Sequence, residues 1–178
     1  MPTTAELVTS AKKGDKNAFA DLYRQVYKDL YRFAYYVLKH PEDAEDVVAD
    51  AVADAYQGIS SLKKPEAFRG WMFRILSAKC KRKMKSYVDI RETEKVLIEN
   101  ETAAEGCEES AELKSAFAAL SDEERMIVSL NVFGGYDSGE IAGMLGLNRN
   151  TVRSKQSRAL AKMKAILGEN SDKNGKEA

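Results

Sequence analysis

Apolar residues recur every three or four positions along most of this chain, and polar caps, prolines or glycines interrupt them at regular points. In residues 16–39 the apolar positions are Phe19, Leu22, Tyr23, Val26, Leu30, Phe33, Ala34, Val37 and Leu38. That spacing predicts one long amphipathic helix. Thr3 or Thr4 caps a shorter helix ahead of it that stops at Gly14, and Asp15 caps the long one. His40-Pro41 breaks the run, because proline opens helices and disfavours helix in the residue before it. A third helix starts at Pro41-Glu42-Asp43 and continues through Tyr56, with Val47, Val48, Ala51, Val52 and Ala55 facing inward and Gly58 as its stop. Residues 60–66 form a polar, basic loop. From Ala67 to about Tyr87 the helical pattern returns, with Phe68, Trp71, Met72, Ile75, Leu76 and Cys80 on the apolar side and Phe73 and Arg74 partly off it.

Between Ser86 and Ser110 the pattern lapses. Only Val96, Leu97 and Ile98 cluster there, in an acidic stretch that reads as a linker with no fold of its own. Helices resume at Ala111, and Ser121-Asp122-Glu123-Glu124 is a capping box that opens the next one, through Phe133. Gly134-Gly135 ends it. Two more helices follow around a tight turn. Asp137 or Ser138 caps the first, and Ile141, Ala142, Met144 and Leu145 form its apolar face. Gly146 suits a left-handed helix end, Leu147 follows, and Asn148 caps the second. The second carries Arg149, Arg153, Lys155, Arg158, Lys162 and Lys164, with no acid before Glu169, and an apolar stripe of Val152, Ala159, Leu160, Met163, Ile166 and Leu167. Short helix, glycine turn and basic helix make a helix-turn-helix, whose second helix enters the DNA major groove. An ordinary helical hairpin with a solvated basic face fits the spacing too.

The chain has 178 residues, 28 basic and 28 acidic, so its net charge is zero. That balance hides segregation into a basic block (61–87), an acidic block (88–110) and a second basic block in the last helix, a pattern that points to a polyanion partner. Asp46, Asp50 and Asp54 stack four apart into an acidic ridge. A solvated face, a metal site and a docking ridge for a basic surface all fit locally; a single histidine, His40, argues against the metal site. Five of the seven residues from Lys79 to Lys85 are basic, more than dipole compensation at a helix terminus explains. Trp71 suits core packing or base stacking. Cys80 and Cys107 lie far apart without a partner motif and read as reduced thiols. No apolar window spans a membrane and no secretory signal is seen, so the expected location is cytoplasmic. No nucleophile–base pair, metal cluster or phosphate loop marks an enzyme, and no cofactor is expected.

Three stretches together resemble bacterial RNA polymerase sigma factors of the extracytoplasmic-function (ECF) type: residues 41–50 (Pro-Glu-Asp-Ala-Glu-Asp-Val-Val-Ala-Asp), 68–75 (Phe-Arg-Gly-Trp-Met-Phe-Arg-Ile), and 120–125 continuing to Thr151-Val152-Arg153-Ser154 and Ser157-Arg158-Ala159. The resemblance covers about residues 11–167. It implies an all-α fold of two small helical domains: a promoter-melting bundle over 1–87 and a helix-turn-helix domain over 111–168, joined by an acidic linker over 88–110 and followed by a disordered tail over 169–178.

The resemblance also implies roles. Asp43, Asp46, Asp50 and Asp54 would contact core RNA polymerase at its clamp coiled coil, with the flap as a second contact. Lys63, Lys64, Arg69, Arg74, Lys79, Arg82 and Lys83 would hold the single-stranded minus-ten element. Arg149, Asn150, Arg153, Ser154, Ser157 and Arg158 would read the minus-thirty-five duplex, and the linker would thread toward the RNA exit path. Ala78 and Arg82 stand where many members carry an asparagine and an acid, which favours backbone over base contact, and Lys155-Gln156 is a smaller departure. An anti-sigma factor is a further partner of the kind the family admits. The competing reading is a stand-alone helix-turn-helix regulator, which requires a ligand or dimer domain in the N-terminal half.

Overall fold

Most helices of this chain begin where a side chain accepts a backbone N–H that the helix itself leaves unpaired. In the computed structural model the described backbone covers residues 1–94 and 110–174, and the described side chains 1–90 and 110–168. Helix α1 (Thr4–Lys12) starts at Thr3, whose Oγ1 accepts from Glu6 N–H while the Glu6 carboxylate accepts from Thr3 N–H at 2.7 Å. Asp15 Oδ1 accepts from Asn17 and Ala18 N–H at 2.9 and 3.1 Å and opens α2 (Lys16–Leu38). Lys39 closes α2 with φ 60°, and Pro41 begins α3 (Pro41–Gly58) behind an extended His40 that makes no side-chain cap. Two short 3-10 turns, Ile59–Ser61 and Pro65–Ala67, lead into α4 (Phe68–Glu94).

The chain forms two compact units, Met1–Asn100 and Glu101–Ala178. In the first, α2 packs against α1, α3 and α4. Leu22, Leu30 and Phe33 of α2 meet Ala44, Ala51 and Ala55 of α3 and Met72, Phe73 and Leu76 of α4 in a core where all are essentially solvent-free. Burial contributes about 1.5–3 kcal/mol for each large apolar side chain. The Phe33 and Phe73 rings pack edge to face, 5.7 Å between centroids.

In the second unit α5 (Ala111–Ala118), α6 (Asp122–Val132) and α7 (Ser138–Leu145) all pack on α8 (Arg149–Asn174). The core is Phe117, Leu120, Ile127, Leu130, Ile141, Val152, Ala159 and Met163. The Ser121 and Asp137 caps are both full capping boxes, with Glu124 and Glu140 reaching back. No strand occurs among the described residues, and the all-α expectation holds.

Four expectations need correction. Helix α4 runs to Glu94, so 88–94 are helix rather than linker; nothing between Tyr87 and Glu94 is a helix breaker, and charge alone does not end a helix. Residues 95–109 of the expected linker lie outside the described residues, and its last residue, Ser110, caps α5 by accepting from Leu113 N–H. Helix α8 runs to Asn174, so 169–174 are helical instead of a disordered tail, and 175–178 lie outside the described residues. Phe73 is fully buried, whereas Trp71 and Ile75 are only half-buried. The buried side of α4 is turned toward Phe73 because the helix packs on α2 as well as α3. Leu160, expected in the apolar stripe of α8, is 43% exposed.

Candidate nucleic-acid interface

Helix α8 has three faces. At about 100° per residue, Val152, Ala159 and Met163 share one direction, and all three are buried. Asn150, Arg153, Ser154 and Ser157 share a second, roughly opposite, with Arg149 and Arg158 at its two edges, and all six are exposed. None of its three arginines has a carboxylate within ion-pair reach among the described residues. Between the two faces, Lys155 and Lys162 turn back onto α6: Lys155 pairs with Glu123, and Lys162 Nζ lies 3.0 Å from both carboxylate oxygens of Glu124. Glu124 titrates below the usual carboxylate range, chiefly because the Ser121 N–H donates to it and also because of Lys162. So acids of α6 brace the helix along its flank while the exposed face stays bare of carboxylate partners.

The turn that aims α8 is equally defined. Gly146 sits at φ 68°, and its N–H and that of Leu147 both donate to Ala142 O. A left-handed residue there suits glycine. Asn148 Oδ1 then accepts from Asn150 N–H at 2.8 Å, so the first turn of α8 is capped directly under the exposed Arg149 and Asn150.

The first unit is less uniform. Lys63, Lys64, Arg74 and Arg82 are exposed. The other three cations expected with them are held by acids. Arg69 lies 3.0 Å from Asp29 and over the Phe73 ring at 5.1 Å. Lys79 Nζ is 2.7 Å from Asp54 Oδ2, and Lys83 Nζ is 3.0 Å from Asp43 Oδ1. The acidic ridge divides in the same way. Asp46 and Asp50 are exposed with no cation partner among the described residues, while Asp43 and Asp54 are tied to α4. The Tyr87 hydroxyl, which no spacing along the chain marks, donates to Asp43 Oδ2. Burial alone would raise the Asp43 carboxyl; the Tyr87 hydroxyl and the Lys83 ammonium, helped by His40, outweigh it and hold the group below its ordinary value. Burial, together with that same carboxylate, pushes the Tyr87 phenol up.

Among the described residues no cluster of three or more His, Cys, Asp or Glu side chains has the arrangement of a metal site. Cys80 is buried, and desolvation pushes its thiol up to about 12, the opposite of an activated nucleophile. No described helix is long and apolar enough to cross a membrane. What the arrangement can do is bind: a capped, acid-braced helix presents bare arginines and polar side chains, which defines a helix-turn-helix DNA-binding protein.

Likeness to known proteins narrows that class. Residues 22–87 match the family model for sigma-70 region 2, and residues 110–163 match that for sigma-70 region 4. The chain is 30% identical to the ECF RNA polymerase sigma factor SigM of Mycobacterium tuberculosis, across 93% of this chain and 85% of that one. It is 29% identical to the ECF RNA polymerase sigma-E factor of Escherichia coli, across 88% and 90%. The fold is shared with the sigma factor RpoE from Bartonella quintana, solved in complex with the anti-sigma factor NepR: TM-score 0.71, 23% identity, 84% of this chain and 96% of that chain.

This chain belongs to the ECF RNA polymerase sigma factors. It binds core RNA polymerase and promoter DNA and directs promoter-specific transcription initiation, without catalysis of its own. The region 2 match occupies the half in which a stand-alone regulator would carry a ligand or dimer domain, and that reading is not favoured.

Proposed function

We propose that the two units divide the promoter between them. The second reads the minus-thirty-five duplex through Arg149, Asn150, Arg153, Ser154, Ser157 and Arg158. The observation that carries this is the bare reading face of α8, six exposed polar or basic side chains at the start of a helix whose flanking lysines are already committed to α6. Residues at that end of a recognition helix are the ones that reach base edges.

The first unit engages the melted minus-ten strand. Lys63, Lys64, Arg74 and Arg82 supply the exposed cations, with Arg69, Lys79 and Lys83 beside them. A strand held by backbone cations with a base in a protein pocket stays open. Core polymerase docks on the α3 ridge of Asp43, Asp46, Asp50 and Asp54, acid against the basic clamp coiled coil, and the flap engages the second unit. The protein works in the cytoplasm. An anti-sigma factor restrains it, the kind of partner with which the Bartonella quintana relative was solved.

The test is site-specific photocrosslinking in the reconstituted holoenzyme. A crosslinker at Ser157 is expected to mark the minus-thirty-five duplex, and one at Lys64 the single-stranded minus-ten element. Crosslinks from Ser157 that fall outside the upstream element would overturn the assignment.

A further inference from the structure

Asp43 and Asp54 have two claims on them. They belong to the α3 ridge offered to polymerase, and they hold Lys83 and Lys79, which belong to the α4 end offered to the DNA strand. A carboxylate engaged by an internal lysine presents little charge to an outside cation. A lysine neutralised by that carboxylate attracts a phosphate weakly. Asp46 and Asp50, on the same ridge, have no such partner among the described residues.

We infer, resting on the docking and strand-binding roles proposed above, that the Asp43–Lys83 and Asp54–Lys79 pairs are a counterion exchange that couples polymerase docking to DNA capture. Away from polymerase the two aspartates mask the two lysines. A basic surface that lands on Asp46 and Asp50 draws Asp43 and Asp54 outward, and Lys79 and Lys83 turn to phosphate. The geometry suits exchange better than a permanent lock. Asp54 is 58% exposed and Asp43 25%, so both oxygen pairs are reachable from solvent. Partly exposed pairs hold weakly and yield to a competing charge. The helices need not move, because Ala51 and Ala55 of α3 and Leu76 and Cys80 of α4 stay in the core and only long side chains rotate. The Tyr87 hydroxyl bond to Asp43 keeps that carboxylate turned toward α4 until a cation competes. By linkage, DNA held on the released lysines tightens polymerase binding by the same factor.

The full chain, without polymerase, is titrated into a fluorescent single-stranded oligonucleotide, and wild type is compared with two double variants. Asp43→Asn/Asp54→Asn frees both lysines. Asp46→Asn/Asp50→Asn removes the same charge from the same helix and frees none, so long-range electrostatics cancel between them. The first variant is expected to bind at least threefold more tightly than the second. Its log–log salt slope should be steeper by about 1.4, from two phosphate contacts at roughly 0.7 each on a single strand. Equal affinities and slopes would overturn the exchange. Should Asp43→Asn fail to fold by circular dichroism, Asp54→Asn alone against Asp50→Asn alone gives the same comparison with a slope difference of about 0.7. Core polymerase affinity is read in parallel. If Asp46→Asn/Asp50→Asn leaves it unchanged, the docking role fails and the exchange falls with it; if docking weakens while the two DNA curves coincide, only the exchange fails.

Discussion

Replacing Arg153 with alanine tests the proposed base reading separately from everything else α8 does. Arg153 is exposed on the second turn of the helix, without a carboxylate partner among the described residues, so its removal leaves no buried charge behind. Arginine and alanine differ by only a few tenths of a kcal/mol in helix propensity, and exposed substitutions of this kind stay within about 0.5 kcal/mol of wild type. A bidentate contact to guanine is worth about 1–3 kcal/mol of discrimination, which is roughly 5- to 150-fold in affinity. The assay is holoenzyme binding to a promoter fragment, in competition with the same fragment carrying a scrambled upstream element. The variant is expected to lose that factor on the intact promoter and little on the scrambled one, with its thermal unfolding unchanged. An equal loss on both fragments, with a salt slope shallower by about 0.9, identifies a phosphate contact and refutes base reading. Lys162→Ala is the internal comparison. Its ammonium faces Glu124, so it should lower the stability of the second unit by less than about 1 kcal/mol and leave discrimination intact.

Two further outcomes follow from the same geometry. A Cβ at Gly134 would meet the Leu130 carbonyl oxygen at 2.6 Å and the Tyr136 ring at 2.7 Å, while one at Gly143 would meet nothing within 4 Å. Gly134→Ala should therefore destabilise the second unit by about 1–3 kcal/mol, and Gly143→Ala, inside α7, should stabilise it by about 0.5–1 kcal/mol; calorimetry that ranked them the other way would contradict the packing. Asp43 has a folded pKa below its ordinary value of 3.8, so its contribution to stability is present above 3.8 and lost as pH falls through the lower folded value. Acid unfolding of Asp43→Asn should lack that part of the pH dependence, and a superimposable acid limb for the two proteins would show that the carboxylate gains nothing from Tyr87 and Lys83.

What is readable from the chain and what is not separate by the distance over which the physics acts. A helix start is settled within four residues, since the cap accepts from an N–H two or three positions on. Asp15, Ser121 and Asn148 are therefore legible as caps from their neighbours alone, as is the left-handed turn at Gly146, while at the other two starts the choice narrows to adjacent residues, Thr3 or Thr4 and Asp137 or Ser138, of which Thr3 and Asp137 are the caps. The bare face of α8 is legible for the same reason, because its exposed and buried positions are set by the period of a single helix. Ion pairing is different. Lys79 meets Asp54, Lys83 meets Asp43 and Lys162 meets Glu124 only because two separate helices pack at a given rotation. Spacing within one helix carries no information about that rotation. The same blindness displaces the apolar side of α4. A stripe drawn for one neighbour takes Trp71 and Ile75, whereas a helix that must also meet Phe33 of α2 turns to bury Phe73. Charge counted along the chain thus overstates the cations left unpaired in the free first unit, and it does so at the positions where Asp29 of α2 and Asp43 and Asp54 of α3 already stand.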